Sequence, residues 1–130
     1  MKVSVFRATK SERDRIVRLI RRAARAEQRL DRDVSIVLVS NPEIRRLNRR
    51  FLHRARFTDV ISFPLRDVPR LESRLLGEIY VSRDQARIQA RRYRVTCREE
   101  LLRLVLHGYL HLLGYPHRKM PPLERRYLPG

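Results

Sequence analysis

The sequence predicts a single small domain of α+β (mixed α/β) class, with a roughly four-stranded mixed sheet flanked by four to five helices. Three observations support this prediction. Segments with the period of a strand alternate along the chain with segments that have the period of an amphipathic helix. The chain has 130 residues, which is the size of one domain. No internal repeat, low-complexity run or Gly/Ser linker divides it, so we assign residues 1–130 to one domain.

The first part of the chain is predicted to form two strands and two helices. Lys2–Arg7 alternates valine with polar residues and Val34–Val39 is rich in β-branched residues, so both are expected to be strands. Between them, Ser11 is the expected N-cap of a helix. The apolar face of this helix carries Ile16, Leu19, Ile20 and Ala23. Asn41-Pro42 begins the next helix, with asparagine as the cap and proline at the first position.

The second part of the chain is predicted to form two strands, a loop and three helices. The strands are Asp59–Phe63, stopped by Pro64, and Gly77–Ser82, with Leu65–Leu75 as the loop between them. The helices are Asp84–Tyr93, Thr96–Leu113 and a short one over Leu123–Leu128. Gly114 ends the second of these helices. The order of the strands in the sheet is not predicted by this pattern.

The charge of the chain is strongly positive. It carries 31 Lys and Arg against 14 Asp and Glu, a formal net charge of +17, which favours partners that carry phosphate. Only three of these cations are lysines, so a general preference for arginine is an alternative source of the excess. A water-exposed helix face accounts for several arginines of the first helix, namely Arg18, Arg21, Arg22, Arg25 and Arg29. Charge alone therefore does not decide between nucleic-acid binding and a solvated surface.

The chain shows no sign of a membrane segment or of export. No apolar run reaches the length that crosses a bilayer, and the first ten residues do not have the pattern of a signal peptide. Cys97 is the only cysteine, so an intrachain disulfide is excluded. We therefore expect a cytoplasmic protein that does not associate with a membrane.

Three of the four histidines lie between His107 and His117. His107 and His111 are four residues apart on a predicted helix, so both imidazoles project from one face and can reach one ion at about 2.0–2.1 Å. Gly114 lets the chain turn through positive φ and return His117 as a third ligand. The alternative is that these histidines lie in the core and are satisfied by hydrogen bonds. Burying them without a partner would cost about 1–3 kcal/mol for each unpaired polar group, which favours the metal site.

Three imidazoles with an open fourth position are typical of a catalytic zinc site. A structural zinc site would need a fourth protein ligand. Cys97 lies ten residues before His107, about 15 Å along the same helix, and cannot reach the ion. A carboxylate from elsewhere, such as Asp59 or Asp84, remains an alternative ligand. We expect one zinc ion, although three imidazoles also accommodate nickel, cobalt or copper.

The spacing His-x3-His-x2-Gly-x2-His also occurs in the metzincin proteases. In those enzymes a glutamate after the first histidine is the general base. Here that position is Gly108, which has no side chain. The ligand spacing is kept while the base is absent, so peptide hydrolysis is disfavoured.

The segment His107–His117, HGYLHLLGYPH, resembles the signature of the YbeY family, bacterial metal-dependent endoribonucleases that mature ribosomal RNA. The family pattern is H-G-x-L-H-L-x-G-Y-D-H, and the chain departs from it only at Pro116. Further segments that resemble the family in the same order are Leu47-Asn48, Thr58–Pro64, Leu76–Ile79 and Gln89-Ala90, followed by Glu124 and Leu128. The resemblance covers the chain from about Leu47 to its end.

The resemblance implies a specific function. His107, His111 and His117 would bind the metal, and the fold would be a small mixed sheet flanked by helices. The activity would be endonucleolytic cleavage of single-stranded RNA in late 16S ribosomal RNA maturation and in quality control of the small ribosomal subunit. The implied partners are an RNA, namely a ribosomal RNA precursor, the small ribosomal subunit and its assembly factors.

Two departures from the family pattern concern the implied site. The family usually has an arginine where this chain has Leu52, so Arg54 and Arg56 are the candidates to hold the substrate phosphate. Pro116 stands where the family has an aspartate, so no carboxylate is adjacent in sequence to the last ligand. In many zinc sites a carboxylate orients the second nitrogen of a histidine ligand.

The general base is not identified from the sequence. Ser62, Thr58 and Asp59 are candidates because their segment resembles the family, yet TDVISFP equally suits a core strand with a polar start.

Two other functions are alternatives to the nuclease. In the first, the metal stabilises a non-catalytic RNA- or ribosome-binding assembly factor, and in the second the chain is a degenerate metalloprotease, which Gly108 and the positive charge disfavour.

Overall fold

A computed structural model gives the fold and describes residues 1–52, 59–65 and 74–129. These ranges contain four strands, five α-helices and one 3-10 helix. In chain order the elements are β1 (Val3–Phe6), α1 (Lys10–Ala26), β2 (Asp33–Val39), α2 (Asn41–Leu52), β3 (Val60–Pro64), β4 (Leu75–Ser82), α3 (Arg83–Tyr93), α4 (Cys97–Leu112), the 3-10 helix (His117–Lys119) and α5 (Met120–Tyr127). None of the described helices is long and apolar enough to cross a membrane.

The four strands form one mixed sheet in the order β1-β2-β4-β3. β1, β2 and β4 are parallel to one another, and β3 runs antiparallel to β4 at the edge. The helix α1 makes the crossover that a parallel β1–β2 pair requires. The predicted α+β class with a four-stranded mixed sheet is therefore confirmed. The order of the strands could not be predicted from the sequence pattern.

The helix α4 lies at the centre of the main core. Its sequence is apolar on almost every side, which is the pattern of a helix buried all round rather than one that faces water. It packs against β3 and β4 on one side and against α1, α3 and α5 on the others. Its fully or almost fully buried residues include Leu104, Val105, Leu106, Tyr109, Leu110 and Leu112. The backbone positions from which side chains of α4 reach the surface are therefore fixed by the core.

The other face of the sheet is covered only in part. Ile44 of α2 is buried there against Val39 and Ile61, forming a second and smaller core. Around this cluster, Val37, Phe63 and Tyr80 are only partly buried. The sheet therefore has one face that is fully packed by α1 and α4 and one that α2 covers incompletely.

The N-cap of the first helix lies two residues earlier than predicted. Thr9, and not Ser11, is the N-cap of α1, so the sequence-based assignment was wrong. The Thr9 hydroxyl accepts from the Glu12 backbone N–H at 3.1 Å, and the Glu12 carboxylate accepts from the Thr9 backbone N–H at 2.9 Å. Two N–H groups that the helix leaves unpaired are thereby satisfied at once. Ser11 followed by Asp14 offers a weaker version of the same motif.

The second helix also has a different cap from the one predicted. The Ser40 hydroxyl, and not the side chain of Asn41, accepts from the backbone N–H of Glu43 at 3.3 Å. Asn41 instead links α2 to the start of α3. Its backbone N–H donates to the Asp84 carboxylate at 2.7 Å, and its side-chain oxygen accepts from the Ser82 hydroxyl at 2.6 Å. A tertiary hydrogen bond thus displaced the local one that the sequence suggested.

Three element boundaries near prolines and glycine differ from the predicted ones. Pro64 is the last residue of β3, where an edge position tolerates the missing N–H. Pro121 and Pro122 lie in the first turn of α5, where the N–H groups have no helical partner to lose, so the helix begins at Met120 rather than Leu123. β4 begins at Leu75 rather than Gly77. Most of the predicted loop between β3 and β4, residues 66–73, lies outside the described residues.

The ion pair between Glu12 and Arg83 makes a testable contribution to stability. The Arg83 guanidinium donates to the Glu12 carboxylate at 2.6 Å and lowers the pKa of Glu12 to about 2. A lowered folded-state pKa stabilises the fold above about pH 4.5 and stops doing so as the pH falls through about 2. We expect Glu12→Gln, which keeps the capping geometry, to cost on the order of 1 kcal/mol at about pH 6 and almost nothing at about pH 2.

The measurement for this ion pair is urea unfolding of both proteins at the two pH values. Glutamine still accepts from the Thr9 N–H, so the comparison isolates the charge. A difference between the two proteins that does not shrink at low pH would show that the ion pair with Arg83 does not supply it.

Candidate metal centre

The structure brings His107, His111 and His117 together. The first two lie one turn apart on α4, and the third begins the 3-10 helix. One ligand nitrogen from each histidine can be chosen so that all three lie within 4.8 Å of one another. The ring centroids are 4.8, 5.0 and 4.5 Å apart. The three imidazoles are therefore placed to hold one ion between them.

The turn after α4 returns the third histidine to the first two. Gly114 has a φ of +96°, a conformation that L residues with a side chain rarely adopt. Its N–H donates to the His111 carbonyl at 2.9 Å, and the Tyr115 N–H donates to the Leu110 carbonyl at 3.1 Å. These bonds satisfy carbonyls at the end of α4 while reversing the chain. The predicted role of Gly114 in ending the helix is confirmed.

The cluster is open to solvent on the side of His117. His107 and His111 are partly buried, whereas His117 is exposed. Burial lowers the pKa of His111, and its neighbours His107 and His117 lower it further. A lowered pKa keeps this imidazole neutral near pH 7, which is the form that binds a metal ion. The site therefore has three imidazole donors, and the surroundings of His111 favour the form that binds a zinc ion.

A carboxylate from α5 is within hydrogen-bond distance of one ring nitrogen of His107. Nδ1 of His107 lies 3.1 Å from Oε1 of Glu124. Both side chains are mostly buried, with 18% and 15% of their surface exposed. A carboxylate in this position holds the proton on Nδ1 and leaves Nε2 as the ligand atom. The carboxylate missing at Pro116 therefore has a counterpart in Glu124, which contacts a different histidine of the cluster.

An arginine of α4 connects this carboxylate to the rest of the fold. The Arg103 guanidinium donates twice to the buried Glu100 carboxylate, at 2.7 and 2.8 Å, and lies 4.0 Å from Glu124. It also donates to Gln89 at 3.4 Å, and the Gln89 amide in turn donates to Asp59 at 3.3 Å. Glu124 thus faces a cation that is itself held in place.

Neither alternative carboxylate belongs to the histidine cluster. Within the part of the chain that the structure describes, the group able to hold an ion consists of the three histidines alone. Asp59 accepts from Gln89, and Asp84 accepts from the Asn41 backbone at the start of α2. Cys97 is exposed at the opposite end of α4. The arrangement thus favours three imidazoles with an open position over a closed four-ligand site.

Gly108 has a steric role that excludes any side chain. A Cβ atom built there would lie 2.6 Å from Ile79 and 2.9 Å from Val60, which are contacts that real Cβ atoms do not make. The Ser62 hydroxyl also donates to the Gly108 carbonyl at 2.9 Å, so the helix is fastened to β3 at this point. A glutamate could not occupy this position without moving α4 away from the sheet.

Several residues proposed for the site from the sequence are not brought to the cluster. Ser62 is occupied in the bond to Gly108, which supports a structural role for its segment rather than a general base. Arg54, Arg56 and Thr58 lie outside the described residues, so their predicted roles stay predictions. The side chain of residue 52 is also outside the described part of the chain.

Gly108→Ala is expected to destabilise the protein. The added methyl group must push α4 away from Ile79 and Val60, at a cost of about 1–3 kcal/mol, although alanine alone would favour a helix by about 1 kcal/mol. Chemical denaturation of the metal-free protein measures the change. A second substitution, Ile79→Ala, removes the nearest of the atoms that the methyl group would meet. The double variant should therefore lose less free energy of unfolding than the sum of the two single variants. Strictly additive losses would contradict the proposed contact.

Two members of the site were not recognised from the sequence. Glu124 is 17 residues from His107, and no short-range spacing connects them. Arg103 lies one turn before His107 on the helix, a position that is equally typical of a solvent-facing cation. The only available signal for Glu124 was its resemblance to a position in the C-terminal helix of the family.

Comparison with known proteins identifies the family. A family profile described as Endoribonuclease YbeY matches residues 2–126. Relatives with the same name include one from Sulfurihydrogenibium sp., 44% identical over 85 residues, which are 65% of this chain and 56% of the relative. Another, from Thermotoga maritima, is 44% identical over 87 residues, which are 67% of this chain and 55% of the relative. The chain thus spans about half the length of these curated relatives.

A solved structure has the same fold. The solution structure of a Thermotoga maritima protein superposes with a TM-score of 0.70 at 30% sequence identity. The match covers 97% of this chain and 86% of that one. The resemblance that began with the histidine segment therefore extends over the whole chain, in sequence and in architecture, and the chain belongs to the YbeY endoribonuclease family.

Proposed function

We propose that this protein is an endoribonuclease that cuts single-stranded RNA with one zinc ion bound by His107, His111 and His117. The observation that carries the proposal is the convergence of three imidazoles around an open position, with Glu124 on the second nitrogen of His107. The name of the family and of the curated relatives supplies the reaction class. The substrate that we propose is a precursor of 16S ribosomal RNA, late in maturation and during quality control of the small subunit.

The donor set suits the proposed ion and the proposed chemistry. When bound, zinc supplies Lewis acidity that polarises a phosphoryl oxygen and makes water a better nucleophile. The chain's own residues perform the supporting tasks. Glu124 keeps the proton on Nδ1 of His107, and burial keeps His111 neutral. Gly108 allows α4 to lie against the sheet, so both helical ligands are held by the core.

The charge of the chain suits an RNA substrate. A formal net charge of +17 attracts a polyanion and releases counterions when phosphates are neutralised. Arg54 and Arg56 are proposed to hold the phosphates of the scissile segment, because they lie shortly after the position where the family usually has its arginine. We further propose a cytoplasmic protein whose partners are the small ribosomal subunit and its assembly factors.

Metal removal tests the proposal. The purified protein is assayed for bound metal by elemental analysis and for cleavage of an unstructured, end-labelled RNA of about 30 nucleotides. We expect about one equivalent of metal, loss of cleavage after chelation, and recovery when zinc is added back. X-ray absorption should show three imidazole ligands together with solvent.

Two results would replace the proposal with another. RNA cleavage that persists in the fully metal-free protein would place the activity outside this site. Metal-dependent binding of RNA without cleavage would favour the non-catalytic assembly factor, in which the ion only stabilises the fold. A fourth protein ligand in the absorption spectrum would support that second function as well.

A further inference from the structure

The sheet face opposite α4 carries a row of side chains at one level. The strand register places Phe6 of β1 beside Val37 of β2, Val37 beside Tyr80 of β4, and Tyr80 beside Ile61 of β3. Phe63 lies next to Tyr80, with ring centroids 5.7 Å apart and the rings at 79° to each other. We call Phe6, Val37, Phe63 and Tyr80 the open face. It lies on the opposite side of the sheet from the three histidines.

The open face is accessible, and the direction of its Tyr80 ring is fixed. Phe6 has 52% of its surface exposed, which is unusual for a phenylalanine in a strand. Val37, Phe63 and Tyr80 are partly exposed. The Tyr80 hydroxyl donates to Glu78 at 2.7 Å, which fixes the direction of the ring. The sheet therefore presents exposed aromatic side chains, and the Tyr80 ring is already oriented before a ligand binds.

A groove of about 510 Å³ runs between this face and α2. Val37, Val39 and Tyr80 form its apolar floor. Four arginines stand around it, namely Arg7, Arg46, Arg49 and Arg50. Glu43 is the one carboxylate among the described residues that line the groove, and it is paired with Arg7. The groove therefore combines an apolar floor with a strongly positive rim.

We propose that the open face and its arginine rim bind single-stranded RNA, with bases stacked on Phe6 and neighbouring rings and phosphates held by α2. This inference rests on the proposed function in that it takes RNA to be the substrate. Aromatic side chains on a sheet stack unpaired bases, and arginines beside them neutralise the backbone. The surface would hold a segment of the substrate away from the metal centre, so that binding and cleavage are separable.

An acidic peptide is the other ligand that a positive groove could attract. Such a peptide would gain most from deep apolar pockets for its anchor side chains. Here the half-exposed Phe6 ring lies at an edge strand and does not line the groove, so it offers a stacking surface and not an anchor pocket. The high positive net charge of the chain also favours RNA, which carries one negative phosphate charge on every nucleotide. Both features favour RNA.

The test measures binding without cleavage. The whole protein, kept metal-free in a chelator, is titrated into a fluorescein-labelled oligoadenylate of about 12 nucleotides, and anisotropy gives the dissociation constant. The variants are Phe6→Ala, Phe6→Leu, which keeps apolar bulk without a ring, and Phe6→Tyr, which keeps the ring. The matched control is Tyr93→Ala on α3, because Tyr93 is an aromatic residue with 53% of its surface exposed.

We expect Phe6→Ala and Phe6→Leu to weaken binding about 5- to 100-fold, the range for the loss of one stacked base. Phe6→Tyr should bind within about 2-fold of the unchanged protein, and Tyr93→Ala should have no effect. Arg46→Gln should lower the slope of log affinity against log salt by about one, whereas Arg91→Gln on α3 should leave the slope unchanged.

The inference fails if the unchanged protein does not bind the oligonucleotide, or if Phe6→Ala and Phe6→Leu bind it as tightly as Tyr93→Ala does. It also fails if polyglutamate binding depends on Phe6 while RNA binding does not, because the face would then serve an acidic peptide. Cleavage by the zinc-loaded protein reports separately on the proposed function. If the protein cleaves RNA but its RNA binding does not depend on Phe6, only this inference is overturned. If RNA binding depends on Phe6 but the protein does not cleave RNA, only the proposed nuclease activity is overturned.

Discussion

His111→Ala is expected to abolish metal binding and to reduce RNA cleavage by about 10³-fold or more. Loss of one of three imidazoles leaves two ligands, too few to hold zinc in a catalytic site. The Lewis acid contributes several kcal/mol to the transition state, which corresponds to at least this factor in rate. His111 is preferred to His107 for this test, because replacing His107 would also remove its hydrogen bond with the Glu124 carboxylate. Elemental analysis and the cleavage assay measure the two effects.

The control for His111→Ala is His53→Ala, which removes the one histidine outside the cluster. It should retain about one equivalent of zinc. A thermal unfolding curve of each metal-free variant shows whether the fold survives, and His111 is only partly buried, so we expect it to survive. Full metal content in His111→Ala would show that the three histidines are not the ligand set.

Glu124→Gln is expected to weaken zinc binding by about 10- to 100-fold. Glutamine has the shape of glutamate but lacks the charge that makes the His107 imidazole a stronger ligand. Stability should change little, since Arg103 keeps its ion pair with Glu100. Competition with a chromophoric chelator gives the dissociation constant without any need for RNA. Cleavage at saturating zinc is then measured separately, so that loss of metal and loss of chemistry are distinguished.

The matched control for Glu124 is Glu99→Gln at the exposed start of α4. This substitution also removes one negative charge but lies in the first turn of the helix, eight residues before His107, or about 12 Å along the helix axis. An equal effect of the two substitutions on zinc affinity would mean that general charge, and not contact with His107, is responsible. We expect no measurable effect from Glu99→Gln.

The parts of the site that the sequence predicted are those that depend on local geometry. Two histidines four residues apart share a helix face wherever that helix lies, and a glycine at positive φ ends a helix by itself. The convergence of His107 and His111, and the end of α4 at Gly114, therefore follow from the spacing of these residues alone. The same reasoning predicts the class of fold, because alternating strand and helix periods depend only on local sequence.

The parts that were missed depend on contacts between distant segments. The bond from Glu124 to His107 requires α5 to fold back on α4, and the strand order requires β4 to insert between β2 and β3. The cap of α2 moved from Asn41 to Ser40 because Asn41 is bound by Asp84 and Ser82. Neither strand order nor such tertiary hydrogen bonds can be predicted from a local pattern. Local propensity is a weak guide where they compete.

The division of the ligands across the turn at Gly114 has a thermodynamic consequence. Two of the proposed ligands, His107 and His111, are carried by a helix fixed in the core, whereas His117 begins the segment that leads into α5. An ion bound to all three would act as a cross-link between that segment and the core. Metal binding free energy then becomes folding free energy for the last part of the chain. The C-terminal helix, which carries Glu124, would in turn be steadied by the ion that Glu124 helps to bind.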